Sequence, residues 1–264
     1  MTQTAEYPPG APAWFDLAVR DLSTAQHFYT EVLEWEFYES PYALASVRGR
    51  RVAGLTEPWE SAPPPASSSW TVYLSTDDID ASLEAVRDAG GTIVTERTDM
   101  PGISSTAIVR DPTGVVFALW QADGMAGAEA FGTSGAPIWA EVTSTETSVT
   151  EAFLTAVFGY EAERYPDFDF VTLSSGGDPV CGVYGGAAER AGEGHGAWLP
   201  YFVVESSDVA AVLAERAGGT VLRAAEDTPM GRWTMLADPF GAHFAAIEVA
   251  PEYVVGQEVH EATR

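Results

Sequence analysis

The sequence has little cysteine, few basic residues and no long apolar run. Cys181 is the only cysteine in 264 residues, which excludes an intramolecular disulfide and a cluster of thiolate metal ligands. Lysine and arginine number 13 against 39 acidic residues, for a net charge of −26. Because that charge repels phosphate backbones and anionic lipid headgroups, we expect neither nucleic acid nor a membrane as partner. A neutral or cationic small molecule suits it better, although an acidic surface also simply keeps a protein in solution.

The apolar segments are too short to cross a membrane. None approaches the roughly 18 consecutive apolar residues that a spanning helix needs. The opening MTQTAEYPPGAPAW also lacks the basic stretch and apolar run of a secretory leader. We therefore predict a cytoplasmic protein. Its 46% of hydrophobic residues suffice for a substantial core, and its length suits one large domain or two of about 100–150 residues.

What the sequence does contain is an internal repeat. RDPTGVVFALWQ at 110–121 returns as ADPFGAHFAAIE at 237–248. Other motifs recur at nearly the same spacing: Trp14 with Trp139, the Trp-x-x-Tyr motifs at 70–73 and 198–201, and Gly90-Gly91 with Gly218-Gly219. A spacing of about 125–128 residues that recurs along the chain indicates that one module has been duplicated.

Each module alternates strands and helices in the same order. In the first, WFDLAV predicts a strand, and DLSTAQHFYTEVLEW predicts a helix because its apolar residues recur on one face. A hairpin follows, then the strand WTVYLS, a second helix that ends at glycine, and two strands joined by an Asp-Pro-Thr-Gly turn. The result is a βαβββ pattern that occurs more than once. We place the segments as follows: a tail at 1–9, the first module at 10–122, a Gly/Ala-rich linker at 123–136, the second module at 137–250 and a tail at 251–264.

These motifs resemble the vicinal oxygen chelate superfamily, which includes glyoxalase I, extradiol dioxygenases and bleomycin-resistance proteins. The resemblance rests on DLxxAxxFY after a strand, DDxDA after another, Ala-Gly-Gly, and a DPxG turn into a closing strand, and it covers about residues 10–250. The paired Trp-x-x-Tyr looks closest to a tandem glyoxalase-like "hydroxylase" branch. The resemblance implies an α+β fold in which tandem βαβββ modules form curled mixed sheets around a cavity, with the helices outside.

The resemblance also indicates where a metal would be bound. Metal enzymes of this superfamily take His or Gln from the first strand, His from the strand before the second helix, and Glu from the closing strand. The matching positions here are Trp14 and Trp139, then Thr71 and Leu199 within one residue of register, then Ala118 and Ala245. Tryptophan and alanine offer no ligating atom. We therefore predict no metal and no cofactor, which disfavours a metal-dependent glyoxalase or dioxygenase.

Strand alternation predicts which side chains face the cavity of this fold. The predicted ligand contacts are six residues: Trp14, Trp139, Tyr73, Tyr201, Trp120 and Thr143. Aromatic rings stack on an aromatic ligand, and a tyrosine adds a hydroxyl for hydrogen bonding. Core filling is an equal alternative for the two tyrosines.

Three titratable residues at inward positions are candidates for acid/base chemistry: Asp16, Glu141 and His243. A carboxylate among aromatic rings must be hydrated, paired or protonated, and the last state suits proton transfer. The alternative for each carboxylate is a backbone cap or an ion pair with an arginine such as Arg20 or Arg110. The alternative for His243 is a packed histidine at the end of a hairpin.

Two functions follow from these residues. We predict a glyoxalase/bleomycin-resistance-like protein whose aromatic cavity binds a small organic molecule without a metal. That molecule would be a natural product or antibiotic, aromatic and neutral or cationic, bound to a monomer or weak dimer. The alternative is a metal-independent enzyme of secondary metabolism, a lyase, isomerase, cyclase or hydroxylase-like activity, in which Asp16, Glu141 or His243 moves a proton.

Overall fold

The computed structural model describes residues 7–38, 42–57, 69–186 and 196–251. Within these ranges it contains four helices and sixteen strands. The helices are α1 (Leu22–Leu33), α2 (Ile79–Asp88), α3 (Thr147–Phe158) and α4 (Ser207–Arg216). The strands are β1 (Pro12–Ala18), β2 (Glu36–Phe37), β3 (Tyr42–Val47), β4 (Arg50–Thr56), β5 (Trp70–Ser75), β6 (Thr92–Met100), β7 (Ser104–Arg110), β8 (Val116–Ala122), β9 (Pro137–Ser144), β10 (Glu161–Arg164), β11 (Phe170–Ser175), β12 (Asp178–Gly185), β13 (Trp198–Val203), β14 (Thr220–Thr228), β15 (Gly231–Ala237) and β16 (His243–Val249).

The strands form two eight-stranded mixed sheets. The first has the order β2-β3-β4-β1-β5-β8-β7-β6, and the second repeats that order as β10-β11-β12-β9-β13-β16-β15-β14. In each βαβββ repeat the first strand pairs in parallel with the last, as β1 does with β4 and β9 with β12. The predicted α+β class and its tandem βαβββ architecture are therefore confirmed. None of the helices in the described ranges has the length and apolarity to cross a membrane.

Contacts divide the chain into two compact units. Unit 1 combines Met1–Phe15, Thr71–Glu129 and Trp139–Leu199, and unit 2 combines Asp16–Trp70, Ala130–Ile138 and Pro200–Arg264. Each unit thus joins a βαβββ repeat of one module to a repeat of the other. The module boundaries proposed from the sequence, at 10–122 and 137–250, stay a prediction.

In unit 2 the repeated motifs fit one another. Gly218 ends α4 with φ of +90°, a backbone conformation that suits glycine. A Cβ on the next residue, Gly219, would lie 2.6 Å from the ring of Phe28 on α1. The neighbouring Tyr29 donates its hydroxyl to Asp238 of the Asp-Pro-Phe-Gly turn at 3.2 Å. The Phe-Tyr of the first helix therefore packs on the Gly-Gly and the DPxG turn of the other module.

Unit 1 repeats this arrangement with the modules exchanged. A Cβ on Gly91 would lie 2.7 Å from the ring of Phe153 on α3. Thr150, also on α3, donates its hydroxyl to Asp111 of the Asp-Pro-Thr-Gly turn at 3.0 Å. The same carboxylate accepts the backbone N–H of Val115 at 2.9 Å, which closes the turn. The Gly-Gly and DPxG motifs therefore have structural roles in both units.

Candidate functional site

A carboxylate, a glycine and a tyrosine meet on β1, β4 and β3 of unit 2, and we call them the first-module patch: Asp16, Gly54 and Tyr42. Asp16 and Gly54 are partners across the parallel pair β1–β4. The hydroxyl of Tyr42 donates a hydrogen bond to Oδ1 of half-buried Asp16. A Cβ on Gly54 would collide with the Tyr42 ring and with that same Asp16 oxygen. Position 54 therefore requires glycine, because the Tyr42 side chain passes over it to reach Asp16.

One partner of Asp16, Tyr42, was not considered for it in the sequence, where an arginine such as Arg20 or Arg110 stays a prediction. Arg20, the nearest in sequence, places its guanidinium 5.7 Å from the ring centroid of Phe240. Sequence reasoning overlooked Tyr42 because it lies on a different strand, β3. Its alternation with Leu44 could have placed it on the Gly54 side of the sheet, since Leu44 and Gly54 are register partners.

The equivalent strands of unit 1 carry the second-module patch: Glu141, Gly182 and Phe170. Glu141 on β9 is 5% exposed and pairs with Gly182 on β12. A Cβ on Gly182 would lie 2.7 Å from the Phe170 ring and 3.5 Å from Cβ of Glu141. The Phe170 ring therefore packs over Gly182 and fills the space that a larger side chain would occupy, with Glu141 beside it.

The side chain of Thr143, two residues after Glu141, is hydrogen-bonded to the backbone. Its hydroxyl donates to the carbonyl of Ala197 at 3.0 Å and accepts the N–H of the same residue at 3.0 Å. Its side chain is 3% exposed. These bonds fix the chain that enters β13, and a ligand contact by Thr143 stays a prediction. Trp139, at the start of the same strand, is half-buried.

Three of the residues predicted to contact a ligand lie together in unit 1. Trp14 stacks on Trp120 with ring centroids 5.9 Å apart and planes at 28°. Tyr73 meets Trp120 edge-on at 5.8 Å, and it pairs across β5–β8 with Ala118. The two tryptophans are almost fully buried, whereas Tyr73 is half-buried. The tryptophan rings thus belong to the core, and Tyr73 presents the exposed edge of the cluster.

Unit 2 contains a corresponding aromatic pair that includes an overlooked residue. Tyr201 lies 5.8 Å from Trp233 on β15, and Arg223 places its guanidinium 5.5 Å from the Trp233 ring centroid. Trp233 is the cross-strand partner of Ile247. Ile247 occupies the position in the repeat that Trp120 occupies in the first module. In unit 2 the tryptophan therefore lies on the adjacent strand instead. An alignment of the two modules, followed by inspection of the strand that pairs with β16, would have identified Trp233.

Two further residues of unit 2 that were predicted to face inward, Ala245 and His243, lie on the closing strand β16. Ala245 pairs with Tyr201 across β13–β16, as Ala118 pairs with Tyr73 in unit 1. His243 is the first residue of β16, half-buried and opposite Ala237. The three candidate acid/base residues therefore lie on three different strands, with Asp16 and His243 in unit 2 and Glu141 in unit 1.

The donor set does not fit the metal of the metal enzymes that the sequence resembles. Trp14, Trp139, Ala118 and Ala245 carry no ligating atom. Across the described ranges, no three His, Cys, Asp or Glu side chains are grouped so that they could hold an ion. His195 and His260 lie outside the described residues. We therefore derive no chemical step through a metal.

Burial governs the most perturbed ionisable groups. Cys181 on β12 is fully buried, and burial raises the pKa of its thiol to about 12. Its Sγ lies 3.9 Å from the hydroxyl of Tyr160, whose pKa burial also raises. A thiol of this kind stays protonated and unreactive, as expected for a small buried side chain. Burial likewise raises the pKa of Asp238, although hydrogen bonds from Ala242 and other turn groups oppose the change.

Comparison with known proteins gives one family and several close relatives. Residues 11–119 match the model of the Glyoxalase/Bleomycin resistance protein/Dioxygenase superfamily. The chain is 31% identical over 264 residues to "Putative glyoxylase CFP32" of Mycobacterium tuberculosis, with 96% of this chain and 100% of that protein covered. It is 32% identical over 267 residues to "Anthracycline biosynthesis protein DnrV" of Streptomyces peucetius, with 94% and 96% covered.

Solved structures share the fold at low sequence identity. The Mn(II)-bound glyoxalase of Novosphingobium aromaticivorans superposes with a TM-score of 0.65 at 16% identity, covering 92% of this chain and 83% of that one. The 2,3-dioxygenase LapB of Pseudomonas sp. KL28 gives 0.62 at 15% identity, with 92% and 93% covered. At such identities the likeness establishes the architecture alone.

Proposed function

We propose that this chain, which belongs to the Glyoxalase/Bleomycin resistance protein/Dioxygenase superfamily, binds a small aromatic molecule without a metal. The molecule is neutral or cationic. The observation that carries the proposal is the second-module patch, where the Phe170 ring packs over Gly182 beside the nearly buried Glu141. Binding sites for small molecules combine apolar walls with a few placed polar groups, and this patch supplies both.

Electrostatics supports a cationic or neutral ligand over an anion. Glu141 is an acidic group in a nearly buried position. The whole chain carries a net charge of −26, so its field attracts cations and repels anions. A relative named for anthracycline biosynthesis further favours a role in secondary metabolism and a fused-ring natural product as ligand.

Calorimetric titration of chelator-treated protein with cationic, neutral and anionic fused-ring compounds tests this proposal. We expect saturable binding of about one cationic compound per chain, with Glu141→Gln weakening it about tenfold, since one desolvated ion pair contributes on the order of 1.4 kcal/mol. Glu84→Gln on α2, which changes an exposed glutamate of the same unit, is the matched control. Absence of saturable binding by every compound would overturn the proposal.

A second candidate function is a metal-independent lyase, isomerase, cyclase or hydroxylase-like enzyme of secondary metabolism. The hydrogen bond from Tyr42 to Asp16 favours it, because a carboxylate that is oriented by a hydrogen bond can act as a general base. Asp16, Glu141 or His243 would move the proton. Loss of turnover by about 10²–10⁴-fold in Asp16→Asn, with ligand affinity retained, would support this function. Equal losses of turnover and affinity would contradict it.

Location and assembly complete the proposal. We place the protein in the cytoplasm as a monomer or weak dimer. The duplication supplies within one chain the pairing that single-module proteins obtain by dimerising. Light scattering during gel filtration measures the mass directly, and a stable dimer at micromolar concentration would contradict this assignment.

A further inference from the structure

We infer that Tyr165 and Phe168 form the outer wall of a site for a planar aromatic cation, with Glu141 as its acidic end. We call these two residues the aromatic lip. They lie in the turn between β10 and β11, beside Phe170 of the second-module patch. This inference rests on the proposed function and deepens it, because it names the binding half of the molecule and the class of ligand.

The aromatic lip exposes two large rings that already contact each other. Phe168 is 64% exposed and Tyr165 is 40% exposed, and their rings are stacked at 6.2 Å with planes at 27°. Large exposed aromatic side chains in contact add nothing to the core, and they commonly mark a binding surface. A stacked pair offers a flat apolar face that suits a fused-ring ligand.

The turn that carries the lip is held in place by hydrogen bonds. The N–H of Tyr165 donates to the carbonyl of Phe170 at 3.1 Å, and the N–H of Phe170 donates to the carbonyl of Phe168 at 2.8 Å. Asp169, between them, accepts the hydroxyl of Thr147 on α3 at 2.8 Å. The rings are therefore preorganised, which reduces the entropy lost when a ligand binds.

A continuous set of contacts leads from the lip to the carboxylate. The ring centroids of Tyr165 and Phe170 lie 5.7 Å apart, and the Phe170 ring packs over Gly182. The Cβ of Glu141 borders the same position. Aromatic rings thus extend from solvent to Glu141, all within unit 1.

This sequence of groups selects one chemical class. A planar ring system gains stacking energy on the lip, and a positive charge on it gains from the aromatic faces and from Glu141. A planar anion would meet the same rings but would be repelled by the carboxylate. In the first-module patch the flanking ring is Tyr42, whose hydroxyl already donates to Asp16. The exposed, stacked lip lies next to Phe170, which favours the second-module patch for a cationic ligand.

Fluorescence titration with proflavine, a planar cation, tests the inference, with 9-anthracenecarboxylate as the planar anion. The variants are Phe168→Ala and Tyr165→Ala, and Tyr38→Ala is the matched control because Tyr38 is similarly exposed at 55%. We expect each lip variant to weaken proflavine binding about tenfold, the usual effect of removing one stacked ring. Tyr38→Ala should bind as the wild type does, and the anion should bind more weakly than proflavine by at least about tenfold. Circular dichroism confirms that each variant is folded.

The outcomes separate this inference from the proposed function. Saturable proflavine binding to the wild type that neither lip variant weakens would overturn the inference and leave the proposed function standing. Equal affinity for the anion and the cation would overturn the assigned ligand class. Binding at many sites per chain that disappears at high salt would show general attraction to an acidic protein, and it too would overturn the inference. If no aromatic probe binds the wild type, both proposals fail.

Discussion

The first-module patch and the second-module patch occupy equivalent strand positions and differ in one hydroxyl and one methylene. In the first, Tyr42 donates to Asp16 over Gly54. In the second, the corresponding ring is Phe170 and the corresponding acid is Glu141, which is nearly buried. Duplication has kept the acid and the glycine of each patch, and it has changed whether the ring between them supplies a hydrogen-bond donor.

The largest expected effect comes from filling the glycine position in each patch. Gly54→Ala forces a methyl group against the Tyr42–Asp16 pair, whereas Gly182→Ala forces it against the Phe170 ring. Overpacking of this kind costs about 1–3 kcal/mol of unfolding free energy. We expect Gly54→Ala to lie at the upper end because it also breaks a hydrogen bond, and Gly182→Ala to weaken proflavine binding as well.

Urea denaturation measures both losses of stability. Losses below about 0.5 kcal/mol in both variants would show that neither patch is closely packed, since surface substitutions fall in that range. Unchanged proflavine affinity in folded Gly182→Ala would contradict the assigned role of the second-module patch.

Exchanging the hydroxyl between the patches sharpens the comparison. Tyr42→Phe removes the donor to Asp16, and we expect a loss of about 1–2 kcal/mol because hydrogen bonds to charged groups are among the stronger ones. Phe170→Tyr introduces a hydroxyl beside Glu141, and we expect weaker proflavine binding by several fold. The two variants are matched in size, and each serves as the control for the other. Proflavine affinity that falls in Tyr42→Phe and not in Phe170→Tyr would reverse the assignment.

The DPxG turns of the two modules differ in the residues that donate to their aspartates, and the stability of the second turn depends on pH. Asp111 accepts the hydroxyls of Thr113 and Thr150, whereas Asp238 accepts that of Tyr29. Burial raises the pKa of Asp238 above its ordinary value of 3.8, so the folded protein binds this proton more tightly than the unfolded chain. Its contribution to stability is therefore complete below pH 3.8 and is lost as the pH rises through the raised pKa.

The variant Asp238→Asn removes this dependence, since its amide oxygen still accepts the N–H groups of the turn. We expect its unfolding free energy relative to the wild type to rise between about pH 3 and pH 7, by about 1.4 kcal/mol for each unit of displaced pKa. Tyr29→Phe removes a hydrogen bond that lowers the pKa of Asp238, so it should extend the dependence to higher pH and increase the total loss of stability. Parallel pH profiles for the wild type and Asp238→Asn would contradict this expectation.

The smallest effect is expected where the second module has cysteine and the first has Ala53. Cys181 is fully buried and its pKa is raised to about 12, so it should not react with a thiol reagent in the native protein. Cys181→Ala should change ligand binding by less than twofold. Reaction of the native thiol within minutes would show that β12 opens readily.

Periodicity and duplication were sufficient to predict the elements and the tandem βαβββ architecture. Alternation within a strand predicted a common inward face for Trp14, Tyr73 and Trp120, whereas their contacts with one another come from the structure. Such patterns report the face of an element on which a residue lies. They are silent about which other element covers that face.

The missed features all depend on a partner from elsewhere in the chain. Tyr42 reaches Asp16 from another strand, and Trp233 takes the place of Trp120 from across a hairpin. The packing of Phe28 on Gly219 joins two modules, so no local pattern could reveal it. Whether the six aromatic and hydroxyl residues predicted from the sequence contact a ligand stays a prediction.

Binding without a metal is tested most directly by one paired titration. Proflavine is titrated into protein stripped with a chelator and into the same protein reloaded with Mn²⁺, with the metal content of each sample measured. We predict the same dissociation constant in both samples, within about twofold, and a metal content well below one per chain in the stripped sample. Binding that appears only when one metal per chain is restored would contradict the central claim and would mean that the ligands lie at positions other than those matched here.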